Sequence, residues 1–418
     1  MRKIKVLLTA LTLLALIPAI TAFPGGSSGG GAPRVPTEAE KRSDELAQSI
    51  DSTLIDASTR FAFDILQELV SEDRGENVFI SPLSILLALA MTYNGAVGDT
   101  KLAMAEALQF AEFDLEELNR GFADLIVSMV NADEEVEISI ANSIWYRLGF
   151  EAEEGFIERN ETYYDSEVRE LDFTDPGAAG TINRWIDEAT KGKIKEMIDA
   201  IPPVTMMYLI NAIYFKGDWT NQFSVGDTRD EEFTLENGAK KMVPMMHLEE
   251  EFRHGRGANL GMLRLPYGRE KLAMYILLPD EGEDLHKIIG GLDEQSWHSL
   301  TSELQEKEVA LAMPRYRIEY GVKLLNGVLT RMGMGIAFAF GPADFAGIAP
   351  GLFISQVLHK AVIEVNEQGS EAAAATVVEL AKSAPSEPVE FIVDRPFFFT
   401  IADDRTGSIL FMGTVAEP

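Results

Sequence analysis

The chain contains no cysteine. Disulfide frameworks, thiolate metal sites and cysteine nucleophiles are therefore excluded, and the fold must be held by its core. Cysteine avoidance alongside abundant charge is also seen in thermophilic proteins. Basic residues are scarce: 36 Lys and Arg against 67 Asp and Glu leave a formal charge of −31. So acidic a chain lacks the basic face that nucleic acids and anionic membranes need, and neither is an expected partner. Only five histidines occur, and His247, His254, His286, His298 and His359 show no ligand spacing such as H-E-x-x-H. No metal site and no cofactor are expected. Glycine motifs for phosphates are missing too, since residues 333–337 (GMGIA) do not complete G-x-G-x-x-G and no Walker sequence occurs. Residues 25–29 (GGSSG) match the nucleophile-elbow pattern, but they lie in a Gly-rich spacer without a strand before or a helix after. Nothing here assembles an enzyme.

What is present supports a large core: 418 residues with 46% hydrophobic content. Residues 1–22 combine a basic start (Arg2, Lys3, Lys5), an apolar run over 6–20 and a small-residue site at Thr21 and Ala22. That is the layout of a secretory signal peptide, with an uncleaved membrane anchor as the alternative. Residues 23–36 read as a Gly/Pro/Ser-rich linker, and 37–418 as the folded domain. Helical patterning dominates early, at 50–70, 82–91, 100–108 and 115–130, with helical turns around 153–164 and 178–190. Strand-like runs stand at 136–146 and 204–215. After Asp230 the chain is mainly strands, among them 262–265, 272–278, 309–318, 352–365, 391–393, 397–401 and 409–415. Short helices fit 285–290, 293–304 and 322–331. Helices gathered early and strands gathered late predict an α+β fold.

Residues 367–380 (EQGSEAAAATVVEL) are the most informative stretch. Read with period two, one face carries Ser370, Ala372, Ala374, Thr376, Val378 and Leu380, while the other has Glu371 and Glu379 at its ends. That alternation fits a strand with one face in a core. The four alanines behind Gly369 and Ser370 equally fit a helix with Ser370 at its N-cap. A segment able to be both is a candidate switch.

Residues 359–376 (HKAVIEVNEQGSEAAAAT) resemble the hinge signature of the serpins, the serine-protease inhibitors. Residues 77–84 (NVFISPLS) with Gly95 and Thr100, 211–219 (NAIYFKGDW) with Phe223, 395–399 (RPFFF) and 410–415 (LFMGTV) agree with the same family. So do Asn183, 190–194 (TKGKI) and 243–246 (VPMM), and the likeness is collinear from about 59 to 418.

The resemblance implies three β-sheets, about eight to nine helices and an exposed reactive-centre loop over about 367–390. It also implies a metastable inhibitor whose loop, once cut, inserts into the main sheet and traps the protease as a 1:1 covalent acyl-enzyme. By matching positions, the hinge is Glu367, Gly369, Ser370, Ala372, Ala373, Ala374, Ala375 and Thr376. The shutter is Ser81, Ser84, Asn211 and His359, and the breach Trp219 and Phe223. Gly192 and Lys193 match the lower sheet-opening region, with a plain surface turn as the alternative. Family spacing places the cleaved bond between Ser383 and Ala384, with Leu380 in an apolar subsite that suits subtilisin-like or elastase-like proteases. A loop shorter by one residue would move the cut to Lys382–Ser383 and suit trypsin-like enzymes. A secreted monomer follows, as does the alternative of a non-inhibitory binding or chaperone-like member. A heparin-type polyanion is not expected, because 111–117 (AEFDLEE) is acidic. Asn160 begins a glycosylation sequon.

Overall fold

The computed structural model describes residues 36–370 and 387–418. The helices come first, as their patterning predicts. α1 (Glu38–Ser49) and α2 (Ser52–Glu72) are split by Asp51, whose carboxylate accepts from the Thr53 N–H and caps the second helix. After β1 (Val78–Ile80), α3 (Pro82–Tyr93) starts with Ser81 as its N-cap and proline in its first turn; all twelve of its residues are buried. Then follow α4 (Gly98–Ala107), α5 (Leu115–Val130), β2 (Val136–Arg147), α6 (Glu154–Tyr164), β3 (Glu167–Leu171), α7 (Ala178–Ala189) and β4 (Met207–Asp218).

The second half is mostly sheet: β5 (Arg229–Thr234), β6 (Lys240–Arg256), β7 (Leu260–Tyr267) and β8 (Leu272–Pro279), then α8 (Leu285–Ile289) and α9 (Glu294–Ser302). β9 (Gln305–Pro314), β10 (Tyr316–Leu324), α10 (Asn326–Leu329), β11 (Gln356–Val365) and β12 (Gly369–Ser370) follow. β13 (Val389–Ile392), β14 (Phe397–Asp403) and β15 (Ile409–Val415) complete the chain.

Among the described residues, continuous hydrogen-bond ladders form two sheets where the resemblance implied three. The nine-stranded one runs β1-β15-β14-β8-β7-β6-β9-β13, with β5 also on β6. The strand β6 is the joint: residues 245–254 pair with β9, and 253–256 pair with β7. One seventeen-residue strand thereby fuses what would otherwise be two ladders. The six-stranded sheet runs β10-β11-β12-β4-β2-β3.

The region 305–331 departs from the expectation of one strand and a helix. It holds two strands in different sheets, β9 and β10, and the helix begins only at Asn326. β10 alternates as an edge strand should, with Tyr316, Ile318 and Tyr320 buried and Arg317 and Glu319 exposed. A bulge between Tyr320 and Lys323 breaks that alternation, so its far end reads as helical. The sequon is likewise overruled: Asn160 is fully buried and donates to the Phe156 carbonyl at 3.1 Å, so the folded protein cannot present it to a glycosylating enzyme.

Candidate functional site

The six-stranded sheet has a half-open seam. β4 and β11 run parallel and pair directly over five positions, from Gln356↔Tyr208 to Lys360↔Ala212. Above that point residues 213–216 of β4 have no partner on β11, and at the top the two strands are bridged by β12. The chain leaves β11, turns at Asn366 and starts back down between its neighbours: Ser370 pairs with Gly217 on one side and Val365 on the other. Asn366 makes the turn by accepting from the Gln368 N–H at 3.0 Å through its side chain, and its own N–H donates to the Gly369 carbonyl at 3.0 Å. Gly369 is required here by close approach, since a Cβ would stand 2.1 Å from the Gly217 carbonyl oxygen.

A set of contacts holds this entry point. The Trp219 N–H donates to the Gln368 carbonyl at 2.8 Å, its indole N–H to the Asn366 carbonyl at 2.9 Å, and the Phe223 N–H to the Glu367 carbonyl at 2.9 Å. The Trp219 ring stacks on Tyr267 with centroids 4.4 Å apart, and the Tyr267 hydroxyl is 2.7 Å from Ser370 Oγ. Glu367, 5% exposed, is paired by Arg315 and accepts from Thr228 Oγ1 at 2.7 Å. Burial works to raise its carboxyl, but the Arg315 and Thr228 hydrogen bonds outweigh that and hold it below its ordinary value. The hinge is thus tied to β10's approach by an ion pair whose acid is buried.

Below the opening a polar row crosses an otherwise apolar sheet. Asn142, Asn211 and His359 are register partners on β2, β4 and β11. Asn211 Nδ2 donates to Asn142 Oδ1 at 2.7 Å and to the Ser84 carbonyl at 3.0 Å, and it also contacts Ser84 Oγ. The Ser81 N–H donates to His359 Nε2 at 3.3 Å, so Nδ1 carries the proton that goes to Asn211 Oδ1 at 2.9 Å. Ser81 Oγ donates to the Leu410 carbonyl at 2.6 Å, which ties the row to β15 of the other sheet. Burial pushes the His359 imidazole down to about 3 from 6.5. Protonation would set an Nε2–H against the Ser81 N–H, two donors face to face.

On the opposite face the seam is bridged by a small second core. Ile210 and Leu358, paired across the seam, pack with Trp145, Ile182, Ile186 and Ile194 beneath α7. The Gly192–Lys193 turn ends that helix. It is exposed, needs a positive φ of 82° at Gly192, and lays the Lys193 ammonium 6.0 Å above the Tyr214 ring of β4. It is a surface turn lying across the part of β4 that has no β11 partner.

Structure therefore brings Ser81, Ser84, Asn211 and His359 into one buried network, and sets Trp219 and Phe223 against Glu367, Gly369 and Ser370. Ala372, Ala373, Ala374, Ala375, Thr376, Leu380, Lys382, Ser383 and Ala384 lie outside the described residues, as do the signal segment and most of the linker. Asn142, Thr228, Tyr267 and Arg315 were not picked out from the sequence. Asn142 had a faint signal, an amide inside the apolar run 136–146; the other three had none.

A family profile for Serpin (serine protease inhibitor) matches residues 56–418. An uncharacterized serpin-like protein of Thermococcus kodakarensis is 39% identical over 383 residues, covering 90% of this chain and 88% of that one. The leukocyte elastase inhibitor of Bos taurus is 36% identical over 378 residues, covering 87% and 98%. A solved structure of thyroxine-binding globulin with thyroxine matches with a TM-score of 0.79 at 30% identity, covering 87% of this chain and 98% of that one. The half-open central seam, the network beneath it and the collinear likeness over nearly the whole folded body make one conclusion: the chain belongs to the serpin family.

Proposed function

We propose that this serpin is a secreted suicide-substrate inhibitor of serine endopeptidases, with no catalytic activity of its own. The observation that carries the reading is the seam, with Ser370 already between β4 and β11 and small residues next in line. Continuing the register past Ser370↔Gly217 gives the inserted state a specific geometry. Ala372 would oppose Phe215, Ala374 would oppose Ile213 and Thr376 would oppose Asn211. Phe215 and Ile213 are both buried core residues, so alanine is what fits beside them, and a hydroxyl arrives at the polar row. On the other face Glu371 would meet Lys216 and Val377 would meet Ile210.

Residues 371–374 would fill the part of the seam that lacks pairing, and deeper entry must break the five β4–β11 pairs. Each broken bond is re-made with the new strand, which has two ladder edges. At ~0.5–1.5 kcal/mol per bond, roughly nine added residues bring on the order of ten kcal/mol. The step begins when a protease serine oxygen bonds to the carbonyl carbon of the cleaved residue and the C–N bond breaks. Insertion must then outrun hydrolysis of the ester. We place the bond at Ser383–Ala384, with Leu380 engaging an apolar subsite of a subtilisin-like or elastase-like protease, and Lys382–Ser383 as the alternative for trypsin-like enzymes. Residues 1–22 supply the export signal, and the active species is a monomer that forms a 1:1 complex.

A panel of subtilisin-like, elastase-like and trypsin-like proteases tests this. SDS-resistant complexes with at least one are expected, and mass spectrometry of the released peptide assigns the bond. The competing reading is a non-inhibitory binding member, which the likeness to thyroxine-binding globulin keeps open; it requires clean cleavage with full protease survival across the panel.

A further inference from the structure

Far from the seam, two helices present a second constellation. Asp56 and Arg60 lie one turn apart on α2, and Glu294 and His298 one turn apart on α9. His298 Nε2 is 3.1 Å from Asp56 Oδ1 and 3.5 Å from Glu294 Oε1, and the three donor atoms lie within 4.8 Å of one another. We propose that Asp56, Glu294 and His298 form a binding site for a divalent transition ion of the Zn²⁺ type, which clips α9 to α2.

The distances carry the argument. Ligands about 2.0–2.1 Å from a tetrahedral ion stand about 3.4 Å from each other, which matches the two separations measured from the imidazole. One nitrogen and two carboxylate oxygens form a borderline donor set, which favours Zn²⁺ or Co²⁺ over the all-oxygen shells of Ca²⁺ and Mg²⁺. Arg60 approaches the other Glu294 oxygen at 3.5 Å, leaving Oε1 to face the imidazole. The platform is rigid. A capping box between Asp293 and Ser296 fixes the first turn of α9, and buried Trp297 anchors the helix against Phe63 of α2 and Tyr275 of β8, at 6.2 and 5.4 Å. The three side chains remain partly exposed, so an ion can enter and solvent can complete its shell. Two other histidines each meet a single glutamate, His247 with Glu231 at 3.2 Å and His286 with Glu236 at 3.5 Å. They are built-in controls.

The test uses the full chain without an affinity tag. Zn²⁺ is titrated against a chromophoric chelator, and Co²⁺ loading is followed by its visible d–d absorption. One equivalent of Zn²⁺ at micromolar concentration and a tetrahedral Co²⁺ spectrum are expected. His298→Ala abolishes both, and Asp56→Asn and Glu294→Gln each weaken binding at least about tenfold. His247→Ala and His286→Ala change nothing. Circular dichroism verifies that each variant is folded, and the carboxamide variants decide the matter if the alanine variant is not. Retention of the bound ion in folded His298→Ala overturns the assignment. So does equal competition by Ca²⁺, or the absence of a stoichiometric equivalent.

Discussion

The two sheets of this molecule are built from similar residues and differ at their centres. In the nine-stranded sheet, β7, β8, β14 and β15 are buried along their whole lengths and paired without a gap except for one irregularity between Ile401 and Ala402. Aromatic rings fasten it, with Phe79 stacked 5.8 Å from Phe399 and 5.4 Å from Phe411. In the six-stranded sheet the central pair is parallel, only five positions long, and rests on amides, hydroxyls and an imidazole. Apolar packing has no directional requirement, so it resists opening everywhere alike. A hydrogen-bonded row has one satisfied arrangement, and a new strand that brings its own donors can replace it. The first sheet is a continuous frame and the second has a gap in pairing at its centre.

The sharpest way to break this comparison is to load the incoming strand. Ala372→Arg would place a charge opposite Phe215 in the proposed inserted state, at a cost of several kcal/mol, or about two decades or more in partition. SDS-resistant complex should vanish and cleaved serpin accumulate. Unchanged inhibition refutes the insertion geometry. Next in size, Ile276→Ala cuts a cavity into fully buried β8 and should cost about 2–5 kcal/mol in urea unfolding. Because the frame does not open, the stoichiometry of inhibition should stay at its wild-type value; a shift would show that the sheets are mechanically coupled there.

The polar row predicts an acid limit. His359 is held below its unfolded value of 6.5, so the unfolded chain binds the proton first as pH falls. The stabilisation is complete above about pH 6.5 and drains by up to about 1.4 kcal/mol per unit toward pH 3. Glu367, also lowered, contributes separately, from its ordinary value of 4.5 downward. Urea midpoints between pH 7 and 5 should therefore fall more steeply in the wild type than in His359→Gln, where buried His254, also held below its ordinary value by desolvation, leaves a residual slope. Parallel curves would discard the neutral-imidazole role. The smallest effect belongs to Asn142→Ala, which removes the acceptor at 2.7 Å from Asn211 and should cost about 1 kcal/mol. A double mutant with His359→Gln that costs less than the sum identifies one network.

Much of this was legible in the residues. The helices over 50–70, 82–91 and 115–130 were legible from apolar periodicity, and the buried strands of the frame from unbroken apolar runs, while the caps at Asp51, Ser81 and Asp114 came from the structure. The hinge sequence pointed to Gly369 and Ser370, and the block around Ser81 and Ser84 to the centre of the sheet. Asn142 escaped, because its importance is its register opposite Asn211, 69 residues away. Arg315 escaped because nothing local marks an arginine that reaches Glu367. The edge strand β10 was misread where its bulge disturbs the alternation.

Composition and patterning determined the class of fold, the acidic surface, the dependence on a dry core instead of disulfides, and which segment is small enough to enter a sheet. Those properties follow from side-chain size, polarity and spacing along one stretch of chain. Tertiary structure alone decided that the seam stands half open with Ser370 inside it, which histidine nitrogen carries the proton, and that Asp56 meets His298 across 242 residues. Register and docking set those distances, and both arise only when separate elements are packed against each other.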